Sequence, residues 1–204
     1  MAICGFYTCK GQSPVLDLHD NDLYFGDVSN AYYKDIEGFY NQFVGTWVYT
    51  SGNTTLTIIL QKKEMKLVQN GLEAYFTDDL IGEYRYVENG IEKINTLSNL
   101  LTSYENPYSF NISGGIISKY IEDKPYVCAG CQPGEVRVTL FFSDPDFNVL
   151  GVTPRITFLH RIENGVEKLI GFLYYEGNFS TINGVSNQQD LSVPFGPYTL
   201  IKQE

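Results

Sequence analysis

Two stretches of the chain, VENGIEK at Val87 to Lys93 and IENGVEK at Ile162 to Lys168, place Asn-Gly between runs in which apolar and polar residues alternate. Asn-Gly accepts positive φ at both central positions of a tight turn, the geometry whose twist suits two antiparallel strands. The chain is thereby committed to pairing LIGEYRYV with IEKINTL, and ITFLHRI with VEKLIGFLYY. Ser51, Gly52 and Asn53 separate TWVYT from TTLTIILQ in the same manner. SFNISGGIISKYIE, EVRVTLFFSD and the closing PYTLIKQ supply further strand-like runs. With 16 Tyr and 13 Phe and only 19% charged residues, composition also favours strands over long surface helices. The expected fold is all-β: an antiparallel up-and-down β-barrel of about eight to ten strands, with a β-sandwich as the alternative.

Before the strands, NAYYKDIEGFYNQFVG spaces Tyr32, Tyr33, Ile36, Phe39, Tyr40 and Phe43 at three and four, which predicts a short N-terminal helix stopped by Gly45. Gln12 to Asn30 is polar and without sustained period. Residues 1–30 therefore read as a signal remnant and extended lead-in, and residues 31–204 as one barrel domain.

The only tryptophan, Trp47, follows Gly45 and Thr46. A helical lead-in, Gly-x-Trp and an up-and-down series of hairpins resemble the start of lipocalins and fatty-acid-binding proteins. That resemblance implies that Trp47 plugs the closed end of the barrel. The Arg that stacks on this Trp in those proteins is absent, and Lys202 stands on the last strand instead. Over nearly the whole chain, FVGTWVYTSGNTTLTIILQKKE, DDLIGEYRYVENGIEKINTL, CAGCQPGEVRVTLFFSDP and VPFGPYTLIKQ resemble an uncharacterised domain-of-unknown-function family of small bacterial envelope proteins. Members carry a lipoprotein-like signal ending in Ser-Cys-Lys, and TCKGQ at Thr8 to Gln12 matches that position. The resemblance implies export to the periplasm or outer membrane and a lipid anchor on Cys9, and it implies no activity. An ordinary frayed N-terminus is the other reading of this segment; without an export signal the protein would be cytoplasmic.

Cys128 and Cys131 form CAGC in a loop bounded by Pro125 and Pro133. A local disulfide is expected in an oxidising compartment, with free thiols or a metal or redox role as alternatives. DPDFNVLG at Asp144 to Gly151 starts like a calcium loop, but Val149 and Arg155 occupy the positions that need Gly and Glu, so a solvated turn is expected. HDND at His19 to Asp22 falls in the lead-in, and two histidines in the chain do not make a metal site. His160 shares a strand face with Ile156, Phe158 and Ile162 and reads as half-buried. Asp78, Asp79 and Glu92 read as solvated acids. No Gly-x-Ser-x-Gly appears, and no enzyme, cofactor or metal is expected.

Alternation puts Trp47 with Tyr49, Tyr84 with Tyr86, and Val138 and Leu140 with Phe142. If these face inward, Trp47, Tyr49, Tyr84, Tyr86 and Phe142 line a lumen that holds a small apolar ligand or packs solid. The net charge of -10 speaks against nucleic acid and anionic membrane surfaces. The expected protein is a monomeric, non-enzymatic, lipocalin-like envelope protein binding a small apolar ligand. The alternative is a structural or protein-interaction domain with a filled barrel and an envelope protein as partner.

Overall fold

The computed structural model describes residues 13–20, 24–70, 73–119, 132–179, 181–182, 185–186 and 189–204. Cys9, Cys128 and Cys131, and with them the expected anchor and disulfide, lie outside the described residues.

The strands in chain order are β1 (Val15–Asp17), β2 (Tyr32–Lys34), β3 (Gly45–Ser51), β4 (Thr54–Asn70), β5 (Glu73–Glu88), β6 (Ile91–Asn95), β7 (Ile112–Lys119), β8 (Val136–Phe142), β9 (Val152–Glu163), β10 (Val166–Gly177), β11 (Thr181–Ile182), β12 (Val185–Ser186) and β13 (Gly196–Lys202). Eight of them close an antiparallel barrel in the order β5, β4, β3, β13, β10, β9, β8, β7 and back to β5. Both Asn-Gly turns form with positive φ at each central residue: 53° and 78° at Asn89 and Gly90, 53° and 77° at Asn164 and Gly165. One joins β5 to β6, the other β9 to β10.

An inward period of two is plain in β4, β8, β9 and β10. Trp47, Leu56, Ile58, Leu60, Leu80, Tyr84, Tyr86, Ile112, Val138, Leu140, Phe142, Ile156, Phe158, Leu169, Leu173, Tyr198 and Leu200 belong to one buried cluster, joined by Tyr40 and Phe43 from before β3 and by Leu191 and Val193 from before β13. Each aliphatic side chain so enclosed contributes about 1.5–3 kcal/mol of burial free energy.

The expected N-terminal helix is reduced to one 3-10 turn, Phe39–Phe43. Tyr32 and Tyr33 lie in β2, which runs parallel between β1 and β5, and Gly38 adopts φ 70°, a left-handed conformation that separates strand from turn. The three-and-four spacing is satisfied by two different elements that both bury aromatic rings.

Along one edge, β5 takes three partners in turn: β2 at Phe76 and Thr77, β7 at Leu80 to Gly82, and β6 at Arg85 to Glu88. β5 and β7 therefore pair through only three residues each. The register of β7 against β8 shifts between Ser113 and Ile116, where Gly114 and Gly115 both have positive φ. Such a bulge bends the strand and ends its pairing. The Tyr40 hydroxyl donates to the Gly115 carbonyl at 2.7 Å. A Cβ on Gly115 would stand 2.2 Å from that hydroxyl and 2.4 Å from Cζ. Gly115→Ala is expected to destabilise the fold by about 1–3 kcal/mol, the usual range for overpacking, with the unfavourable φ added. Urea denaturation reads it, and Tyr40→Phe should not rescue the variant because the ring itself is in the way.

Candidate functional site

Where β5 leaves β7, the lead-in and the 3-10 turn come in over the wall. Their seat is ionic. Asp35 accepts hydrogen bonds from the Phe39 and Tyr40 backbone N–H groups at 2.8 and 3.1 Å, and from Lys62 Nζ at 3.1 Å, and its Oδ1 lies 3.0 Å from His19 Nε2. Asp78 accepts from the Tyr32 hydroxyl at 2.5 Å and from the backbone N–H groups of Asp35 and Met65 at 3.1 and 3.0 Å. Met65 holds φ 51° in the β4 bulge between Lys63 and Lys66, an uncommon conformation for a side chain with a Cβ, and this turns its N–H toward Asp78. Burial alone would raise the Asp35 carboxyl. The hydrogen bonds from His19, the Tyr40 N–H and Lys62 outweigh it and hold the group well below its usual range. Both aspartate side chains are fully enclosed, and they bind lead-in, turn, β4 and β5 into one knot.

Asp79, the next residue, points the other way. It is 4% exposed, and its Oδ2 has no hydrogen-bond partner among the described residues. Burial and the neighbouring Asp78 push its carboxyl up to about 7. It lines a recess of about 210 Å³ together with His19, Phe25, Tyr40, Tyr75, Tyr108 and Arg155. Asp78 and Asp79 are thus buried, not solvated as their sequence context suggested, and His19 is packed between Phe39 and Tyr40 with ring centroids 5.4 and 5.3 Å away.

A second recess of about 640 Å³ adjoins the first at the end of the wall formed by β7, β8 and β9 and shares Tyr108 and Phe141 with it; Phe142, Val152 and Pro154, in phase with the inward Leu140 and Ile156, line it as well. Its wall is mainly apolar, with Phe110, Phe147, Val149, Val152 and Pro154 among the lining residues. Tyr108 and Phe141 meet edge to face at 6.1 Å and remain 46% and 38% exposed. The Arg155 guanidinium lies 3.7 Å from the Phe141 ring centroid while its Nε donates to Glu176 at 3.1 Å. Burial, with the Asp79 carboxylate, pushes the Tyr108 hydroxyl up to about 12.

The residues expected to face the barrel interior do so. Trp47, Tyr84, Tyr86 and Phe142 are buried members of the interior cluster, and Tyr49 packs against it. Of these five, Phe142 also reaches the larger recess. Trp47 is fully buried near the start of β3, its indole N–H donating to the Phe43 carbonyl at 2.8 Å. Lys202 pairs with it in register, with Nζ 5.4 Å from the ring and 2.7 Å from Glu167 Oε2. Lys202 therefore covers the ring from the neighbouring strand β13. His160, 13% exposed, faces Trp47 edge-on at 6.0 Å and contacts Glu167 at 3.2 Å.

Asp144 is a loop anchor. It accepts from the backbone N–H groups of Asp146 and Ser192 at 3.0 and 2.6 Å. Among the described residues no three His, Cys, Asp or Glu side chains converge as metal ligands, and no helix is long and apolar enough to cross a membrane.

A family model described as a family of unknown function (DUF6705) matches residues 1–203. The chain belongs to this family. For a DUF6705 protein the match leaves the activity to be read from the site. No curated protein and no solved structure matches the chain. Within this DUF6705 barrel, sequence reasoning missed the paired recesses and the knot beside them. One signal was available: Asp78-Asp79 stands inside a long strand-like run, where aspartate is depleted unless something holds it.

Proposed function

We propose that this DUF6705 protein is a non-enzymatic binding protein that carries a small, largely apolar ligand in a recess at the rim of its barrel. The observation that carries the reading is a recess of small-molecule size beside a packed interior. Within the barrel, aromatic and aliphatic side chains form one continuous buried cluster. At the rim, the recess of about 640 Å³ falls within the usual range for small-molecule sites and is lined by Tyr108, Phe110, Phe141 and Phe147.

The test is binding of naphthalene-1-methanol, a neutral aromatic probe, followed by calorimetry or protein NMR. Phe141→Ala and Tyr108→Ala are each expected to weaken it about tenfold, the effect of removing a ring that supplies roughly 1.4 kcal/mol of contact. Phe172→Ala, at an exposed ring on β10, should leave it unchanged. Equal affinity in all four proteins would overturn the reading.

A protein partner on the same face is the second reading, favoured by the exposed Ile116 beside Tyr108 and Phe141. We further propose that the protein works outside the cytoplasm, tethered through Cys9. The support is TCKGQ at Thr8 to Gln12. Intact-mass analysis of the N-terminal peptide from a native host tests this, a diacylglyceryl adduct being expected and an unmodified thiol contradicting it.

A further inference from the structure

We propose that the smaller recess is an ammonium site, with Asp79 receiving the N–H donors of a primary amine that forms the head of the ligand. The inference rests on the reading of the larger recess as the seat of the ligand's apolar body.

Three observations meet here. Asp79 Oδ2 is enclosed and lacks a donor among the described residues, a costly state for a carboxylate, which a cationic donor relieves. The rings of Phe25, Tyr40, Tyr75 and Tyr108 line the recess, and aromatic faces attract an organic cation. The volume, about 210 Å³, lies below the range of whole-ligand sites and equals roughly seven water volumes, which suits a head group whose body continues into the adjoining recess. The net charge of -10 favours a cation at long range.

The charged or titratable groups facing Asp79 across the recess are His19, Asp20, Tyr40, Tyr75, Tyr108 and Arg155. Arg155 is the cation that would oppose an amine. Its charge is engaged by Glu176 and spread over Phe141. Asp78 adds negative charge from the next residue while its own oxygens are bound to Tyr32, Asp35 and Met65.

Benzylamine and benzyl alcohol have the same ring and nearly the same size and differ in charge. Binding of both to the full chain, measured by calorimetry between pH 5.5 and 8, with carbon-detected NMR of the Asp79 carboxyl, separates charge recognition from ring burial. Benzylamine is expected to bind at least about tenfold more tightly at pH 8 than at pH 5.5, because ligand binding is linked to ionisation of its partner. It should bind at least about tenfold more tightly than benzyl alcohol at pH 8, and it should draw the Asp79 titration downward. Asp79→Asn should lose both preferences while keeping its circular dichroism spectrum and its affinity for naphthalene-1-methanol.

Equal binding of amine and alcohol overturns the ammonium site. So does a pH dependence that survives in Asp79→Asn. If naphthalene-1-methanol ignores Phe141→Ala while benzylamine behaves as expected, the apolar seat fails and the ammonium site stands. The reverse pattern removes the ammonium site alone.

Discussion

Trp47→Ala is expected to cost roughly 3–5 kcal/mol of folding stability, the usual range for truncating a fully buried large aromatic. The mechanism is local and complete. The indole has no exposed surface, its N–H satisfies the Phe43 carbonyl, and Lys202 covers the ring from the partner strand. Truncation leaves a cavity and an orphaned carbonyl in the same place. Trp47→Phe keeps part of the volume and loses the hydrogen bond, so it should fall between wild type and Trp47→Ala; Lys202→Met should cost no more than about 1 kcal/mol. Urea unfolding by far-UV circular dichroism ranks the three variants, since the fluorescence probe is itself the mutated residue. A Trp47→Ala midpoint within error of wild type would mean that the surrounding side chains collapse into the space the indole leaves.

The second large effect belongs to the ionic knot. Asp35→Ala is expected to cost about 3–5 kcal/mol, because it leaves the largely buried Lys62 ammonium without its main counter-charge and two backbone N–H groups at the 3-10 turn without their acceptor. The pH dependence follows from opposite shifts in two nearby acids. Asp35 is held below its ordinary 3.8, so its contribution is complete above about pH 4 and is lost as pH falls through the folded value. Asp79 is raised from 3.8 to about 7, so the folded state keeps a proton that the unfolded chain gives up. Its contribution is complete below about pH 4 and is lost as pH rises to about 7, a change on the order of 3–4 kcal/mol. Wild-type stability should therefore rise on acidification from pH 8 to about 5 and fall again below about 4. Asp79→Asn should flatten the upper limb and leave the lower one. An upper limb unchanged in Asp79→Asn would contradict the assignment.

Much of the wall was legible because its causes are local. Asn89-Gly90 and Asn164-Gly165 demand tight turns whatever surrounds them, and alternation in TTLTIILQ and VRVTLFF fixes which side chains face inward. Trp47 was readable as an inward residue from its phase with Tyr49. The lead-in was not legible in the same way. Pairing of β1 with β2 and of β2 with β5 is parallel and joins distant segments, so nothing in Tyr32 to Lys34 distinguishes a strand from a helical turn. His19, Asp35, Lys62 and Asp78 are scattered over four segments and acquire meaning only when the wedge between β5 and β7 brings them together. The larger recess was hidden for a related reason: alternation marks Phe141 as outward and Phe142 as inward, and only packing shows that both reach one recess, with Tyr108 against Phe141.

Ligand is expected in the recess at the barrel rim and not among the packed side chains of the interior. Methyl NMR during titration with naphthalene-1-methanol distinguishes the two places. Shifts are expected at Val149 and Val152, which line the larger recess, with little change at the interior methyls of Leu56, Ile58, Leu140 and Leu169. Saturable shifts at those interior methyls, with Val149 and Val152 silent, would contradict this and place the ligand in the lumen.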